Sequence, residues 1–127
     1  MSKVPAVIYK WGPFALVIVL IFVFSSIPKK ELPDLYQWDL IVKKSGHMLG
    51  YGLLALSFWH GLGWDKKKWW IVWLVAILYA ITDEIHQSFV PGRTSSPVDI
   101  VIDSIAAGLA LLVWYAMKKF NNNRKII

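Results

Sequence analysis

The sequence predicts an all-α membrane protein, with four transmembrane helices in a compact bundle and both termini in the cytoplasm. Two observations lead there. First, 57% of the 127 residues are hydrophobic and only 17% are charged, against roughly 45–50% and 25% in soluble domains. A chain this short has too little interior to hide so much apolar surface, so the excess needs a bilayer. Second, the apolar residues fall into four runs divided by polar segments. At about 20 residues per crossing, no more than about five spans would fit. Residues 1–127 are read as one domain, without internal repeats. The composition excludes a disordered chain and a two-domain enzyme. The absence of Cys removes disulfides, thiolate nucleophiles and Cys-ligated zinc.

The first span covers residues 11–28, an uncharged run between Lys10 and Lys29. It measures about 27 Å as a helix, and Pro13 falls in its first turn, where a missing N–H costs little. Lys3 and Lys10 precede it as in a signal peptide. No small-residue cleavage site follows, so the span is read as uncleaved. Residues 29–44 form the longest loop, with Lys29, Lys30, Glu31, Asp34, Asp39, Lys43 and Lys44, and with Tyr36 and Trp38 suited to the interface. The second span covers 45–64. Gly46, Gly50 and Gly52 allow close helix contact there, and His60 is read as an interfacial histidine. Asp65–Lys68 is a short turn. The third span, 69–89, opens on the belt residues Trp69 and Trp70 and stops at Pro91–Gly92. The fourth covers 98–117, capped by Ser95 or Ser96 with Pro97 in its first turn. The tail Lys118–Ile127 is basic and Asn-rich, with a flexible tip expected.

Charge sets the orientation. The net charge is +6. Four spans place Lys3, Lys10, Lys66, Lys67, Lys68, Lys118, Lys119, Arg124 and Lys125 on one side and Lys29, Lys30, Lys43, Lys44 and Arg93 on the other. The richer side is cytoplasmic by the positive-inside rule. Cations beside apolar runs fit anionic lipid headgroups, and no nucleic-acid partner is expected.

This orientation gathers His47, the Asp83–Gln87 run, Arg93, Asp99 and Asp103 at the outer end. Asp83 lies about 9 Å inside its span and Asp103 about 8 Å. Ionisable groups at that depth cost several kcal/mol unless paired or wetted. Asp83, His86 and Gln87 share a helix face, as do Asp99 with Asp103 and His47 with Tyr51. In one reading these groups satisfy each other, Arg93 pairing with Asp83 or Glu84 and Lys44 with Asp99 or Asp103. In the other they form a binding site of Lys44, His47, Tyr51, Asp83, Glu84, Gln87, Arg93, Asp99 and Asp103. His47, Glu84 and Asp83 are candidates for acid/base catalysis. Asp83, Glu84 and His86 are candidate metal ligands, although no His-x-x-x-His spacing is present. No cofactor is called for.

The run Asp83-Glu84-Ile85-His86-Gln87-Ser88-Phe89-Val90-Pro91-Gly92-Arg93 resembles the VanZ-like family. Ser95, Ser96, Asp99 and Asp103 continue that pattern, and Lys44-Ser45-Gly46-His47-Met48-Leu49-Gly50-Tyr51 looks like the family's basic–His–Tyr element. The resemblance covers about residues 11–117. Relatives often carry Glu before the Tyr, where Gly50 stands here, and Asn or Asp at the place of Asp103. The resemblance implies a small multi-pass protein of the bacterial cytoplasmic membrane. The family's named member is linked to resistance to teicoplanin, a lipid-bearing glycopeptide antibiotic acting at the outer face.

Three functions stay open on these residues. One is a binding protein for membrane lipids, a lipid-linked cell-wall precursor or a glycopeptide antibiotic, with Arg93 and Lys44 holding an anionic group. Another is a membrane-embedded enzyme acting on such a lipid, with or without a metal. The third is a structural subunit or small transporter. The sequence does not set the oligomeric state.

Overall fold

A computed structural model describes residues 5–28, 39–93 and 96–126. Four helices follow one another: α1 (Ala6–Ser26), α2 (Asp39–Gly61), α3 (Trp69–Gln87) and α4 (Pro97–Ile126), with a 3-10 turn at Lys66–Lys68 before α3. No strand occurs among the described residues. The expectations for Lys3, Lys29, Lys30, Glu31, Asp34, Tyr36, Trp38 and Ser95 lie outside them.

α1 starts earlier than the apolar run, so Pro13 sits inside the helix rather than in its first turn. A proline there removes the donor for the carbonyl four residues back, which is Tyr9. His60 of α2 takes up that role. Its Nε2 lies 3.3 Å from the Tyr9 carbonyl oxygen, and its ring meets the Tyr9 ring edge-on at 5.6 Å. A carbonyl only accepts, so the imidazole donates. His60 thus has a defined structural partner.

α2 also starts earlier than expected. Asp39–Lys44, read from sequence as loop, is its first turn and a half. Charged residues there mark the helix end, not a break. The other end stops at Gly63, whose φ is +73°. Trp64 N–H bonds to the Trp59 carbonyl at 2.9 Å and Gly63 N–H to the His60 carbonyl at 3.0 Å, the paired pattern of a Schellman stop. Asp65 then accepts the Lys67 N–H at 3.0 Å and starts the turn into α3.

α4 begins where sequence placed it. Ser96 accepts the Val98 N–H at 3.2 Å, and Pro97 takes the first helical position. Its far end runs past the expected span, since the helix continues through Ile126.

α2 is the central helix and packs on each of the others, most extensively on α4. Tyr51, Leu54, Ala55, Trp59, Val72, Ala76, Ala80, Ala107 and Leu111 form the core. Val72, Ala76 and Ala80 repeat every four residues, so α3 presents a narrow, small-residue stripe inward. Leu16, Val19, Leu20, Phe22, Val23 and Phe24 of α1 point outward. Ala6–Ser26, Lys66–Gln87 and Pro97–Arg124 are long and apolar enough to cross a membrane. Exposed apolar faces on three such helices are what a lipid solvent requires.

Close approach is uneven among the glycines. Gly52 lies 3.4 Å, measured from a built Cβ, from Ala110 Cβ, and Gly50 lies 3.5 Å from Ile21. A Cβ at Gly46 would meet nothing within 4 Å, so its small size is not required for packing there. The tight position is Gly61, where any Cβ would enter the Trp11 ring. Gly61→Ala should therefore lower the melting temperature in detergent, with overpacking costing about 1–3 kcal/mol. Gly46→Ala should be neutral or stabilising by up to about 1 kcal/mol, from helix propensity alone. Equal melting temperatures for the two variants would contradict this packing.

Candidate functional site

The polar residues of four helix ends meet at one end of the bundle. α3 supplies the centre because its inward stripe changes character there: Ala76 and Ala80 give way to Asp83, Glu84 and Gln87 on the same buried side. Relative exposure falls to 5% at Asp83, 3% at Glu84, 1% at Gln87 and 1% at Asp103. Groups so withdrawn from water require partners.

Asp83 is reached from two sides. Tyr51 of α2 donates its hydroxyl to Asp83 Oδ2 at 3.0 Å. Gln87 Nε2, one turn further along α3, approaches the same oxygen at 3.4 Å. Gln87 also donates to Ser25 Oγ at 3.3 Å, which brings the end of α1 into the network. Glu84 faces a different neighbour. Its Oε2 accepts the Ser96 N–H at 3.0 Å, beside the start of α4, where a carboxylate suits the helix dipole.

α2 and α4 face each other through two acids one turn apart. Lys44 forms an ion pair with Asp99, one of the pairings expected from sequence. His47 Nδ1 stands 3.5 Å from Asp103 Oδ2, and its ring stacks over Tyr51 at 6.3 Å. The chain His47–Tyr51–Asp83 thus connects a half-buried imidazole to a buried carboxylate.

Arg93 differs from its expected pairing with Asp83 or Glu84. Its Nε donates to the Ile27 carbonyl at 2.8 Å and its Nη2 to the Phe24 carbonyl at 2.5 Å. No ion pair joins it to Asp83 among the described residues. The Ile27 carbonyl lies past the last helical turn, where backbone donors run out. The Phe24 carbonyl already accepts the Ile27 N–H at 3.3 Å, and a planar guanidinium can serve both carbonyls at once. Partial burial lowers the Arg93 pKa, and the charge of Asp83 opposes that shift. Arg93 remains a cation at neutral pH.

His86 turns toward α1. Its ring stacks on Phe22 at 4.6 Å, and Nε2 lies 2.8 Å from Ser26 Oγ. Ser26 already donates to the Phe22 carbonyl at 2.7 Å, so the imidazole is the donor. Among the described residues no three His, Cys, Asp or Glu side chains gather as metal ligands would. Asp83, Glu84 and His86 face three different neighbours.

The sequence reading missed Ser25, Ser26 and Tyr79. The two serines are the only hydroxyl-bearing residues in the run 11–28, which was the signal available. Tyr79 donates to the Ile18 carbonyl at 2.7 Å, a bond that leaves no trace in sequence.

Fold and site together define a small helical membrane protein with buried carboxylates collected at one end of its bundle. The chain belongs to the VanZ/LLP1 family, whose model matches residues 2–118. That match takes in both stretches that carry the polar end, Lys44–Tyr51 and Asp83–Asp103. No curated protein and no solved structure matches the chain.

The network has an energetic signature. Tyr51→Phe strips Asp83 of its nearer donor and should cost about 1–3 kcal/mol, read as a lower melting temperature in detergent. The double variant Tyr51→Phe/Asp83→Leu removes both partners and should recover part of that loss. A double variant less stable than the single one would place the stabilisation elsewhere.

Proposed function

We propose that the chain is a four-span protein of the bacterial cytoplasmic membrane with both termini inside, and that its polar end lies at the outer leaflet. There it binds the headgroup of an envelope amphiphile, either a lipid-linked cell-wall intermediate or a lipid-bearing glycopeptide antibiotic. Family membership supports the envelope setting. The observation that carries the binding reading is the burial of Asp83 and Asp103 within a network drawn from four helix ends. Ionisable groups held inside a membrane bundle are functional candidates by default.

The geometry favours one kind of headgroup. Lys44 is paired with Asp99, and Arg93 is engaged with the carbonyls of α1. Both cations first thought to grip an anion are already partnered. The acids Asp83, Glu84 and Asp103 outnumber them at depth, so a headgroup rich in donors, such as hydroxyls, amides or amines, fits better than a phosphate. His47, Tyr51 and Gln87 hold the acids in place.

A second reading rests on His47. Its Nδ1 faces Asp103, an arrangement that orients an imidazole for proton transfer through its other nitrogen. An enzyme acting on the same class of lipid would use His47 in that way.

Asp103→Asn and Asp83→Asn, each expressed to native membrane abundance, should abolish any protection against teicoplanin that the native chain gives to a sensitive host. Protection retained in both variants would overturn the binding reading. His47→Gln separates the two mechanisms when purified protein is incubated with radiolabelled envelope lipids. Lipid turnover by the native chain, lost in His47→Gln, would support the enzyme, and binding without turnover would support the binding protein. A protease-accessible C-terminal tag in intact spheroplasts would reverse the orientation.

A further inference from the structure

The opposite end of the bundle is built differently. Trp64 stacks on Trp114 of α4 at 4.5 Å and meets His60 edge-on at 5.7 Å. Beyond His60 lies Tyr9, so aromatic rings from α1, α2 and α4 make one continuous floor. Cations stand on it. Lys118 Nζ lies 5.3 Å from the Trp114 ring, and Lys66 Nζ lies 5.7 Å from that of the adjacent Tyr115. Lys10 sits in the same way over Trp11, which packs beside Phe58.

Charge at this end is one-sided. Lys10, Lys66, Lys67, Lys68, Lys118, Lys119 and Arg124 are all exposed. The acid among them is Asp65, whose carboxylate accepts the Lys67 N–H. Both ion pairs among the described residues lie at the other end. Seven exposed cations thus face one carboxylate among the described residues, and this excess favours an external anion.

Depth identifies the anion. From Pro97 to Lys118, α4 rises about 32 Å, close to the roughly 30 Å hydrocarbon thickness. Lys118 and its aromatic neighbours thus reach the headgroup layer, where Trp and Tyr settle. Eight further residues carry the helix about 12 Å beyond it, with Lys119 and Arg124 on that extension. A cation held over an aromatic ring at this level meets lipid phosphate.

We propose that this end is a binding surface for acidic phospholipid headgroups, centred on Lys66 and Lys118 above Trp114 and Tyr115. It is separate from the carboxylate network and does not depend on what that network binds.

The test uses the full chain purified in mild detergent. It is incubated with equal amounts of chain-matched phosphatidylglycerol and phosphatidylcholine, and retained lipids are counted by mass spectrometry. Phosphatidylglycerol should be enriched, since each lysine near an acidic surface is worth roughly five-fold in partitioning. Lys66→Gln/Lys118→Gln should lose about ten-fold or more of that enrichment, while Lys66→Arg/Lys118→Arg keeps it. Raising NaCl from about 0.1 M to 1 M shortens the screening length from about 10 Å to 3 Å and should also collapse the preference. Equal retention of the two lipids by the native chain would overturn the proposal. So would an enrichment indifferent to salt, or one kept in the Gln variant. Displacement of phosphatidylglycerol by RNA at equal charge would reassign the surface to a polynucleotide.

Discussion

The hydrogen bond from Tyr51 to Asp83 is the contact on which the polar end of the bundle depends. Asp83 stands where the small, apolar inward stripe of α3 gives way to polar residues, and a buried carboxylate short of donors in a membrane bundle costs several kcal/mol. Satisfying it fixes the rotation of α3 against α2. That rotation then sends Gln87 to Ser25 on α1 and Glu84 to the backbone N–H of Ser96. Tyr51 lies one turn from His47, so the same placement leads His47 to Asp103. One buried acid thereby sets how four helix ends meet.

The helix backbones obey the same rule. In lipid every N–H and C=O must find a partner within the protein. Carbonyls at two places in α1 receive side chains from elsewhere. Pro13 leaves the Tyr9 carbonyl without its helix donor, and His60 reaches it. The last carbonyls at Phe24 and Ile27 receive Arg93. No residue in the apolar window of α1 is fully buried, but Phe14, Val17, Ile18 and Ile21 pack partly buried against the core. These polar contacts, the Gly61–Trp11 approach and the aromatic contacts of Trp11 and Phe14 with Phe58 add direction to that apolar packing.

Composition and hydropathy were enough to read the helices, because apolar length is written directly in the chain. The polar end was legible for a related reason. Carboxylates within apolar runs are conspicuous, and i, i+4 spacing placed Asp83 with Gln87 and His47 with Tyr51 on shared faces. What stayed hidden depended on three dimensions. The start of α2 was missed because charged residues at a membrane helix end resemble a loop. Arg93 reads as the partner of an acid because sequence shows charges and not the carbonyls at a helix end. Gly46 looked like a packing residue and Gly61 did not, since only the path of Trp11 decides which glycine is crowded.

The two ends of the bundle treat charge in opposite ways, and burial explains the difference. At one end the acids Asp83, Glu84 and Asp103 are withdrawn behind helix ends, where low dielectric strengthens each contact and penalises any that is missing. In the proposed binding role such groups would select by geometry, accepting only a partner that replaces the lost hydrogen bonds. At the other end the lysines stay exposed on flexible stems above aromatic rings. In the proposed lipid surface they would attract by charge, tolerate many headgroups of the same sign and weaken in salt. Substitutions at the two ends should therefore be read differently. Changing one buried atom, as in Asp103→Asn, alters a single geometric requirement. Exposed lysines act through their summed charge, so a single one removed weakens the surface without redefining it.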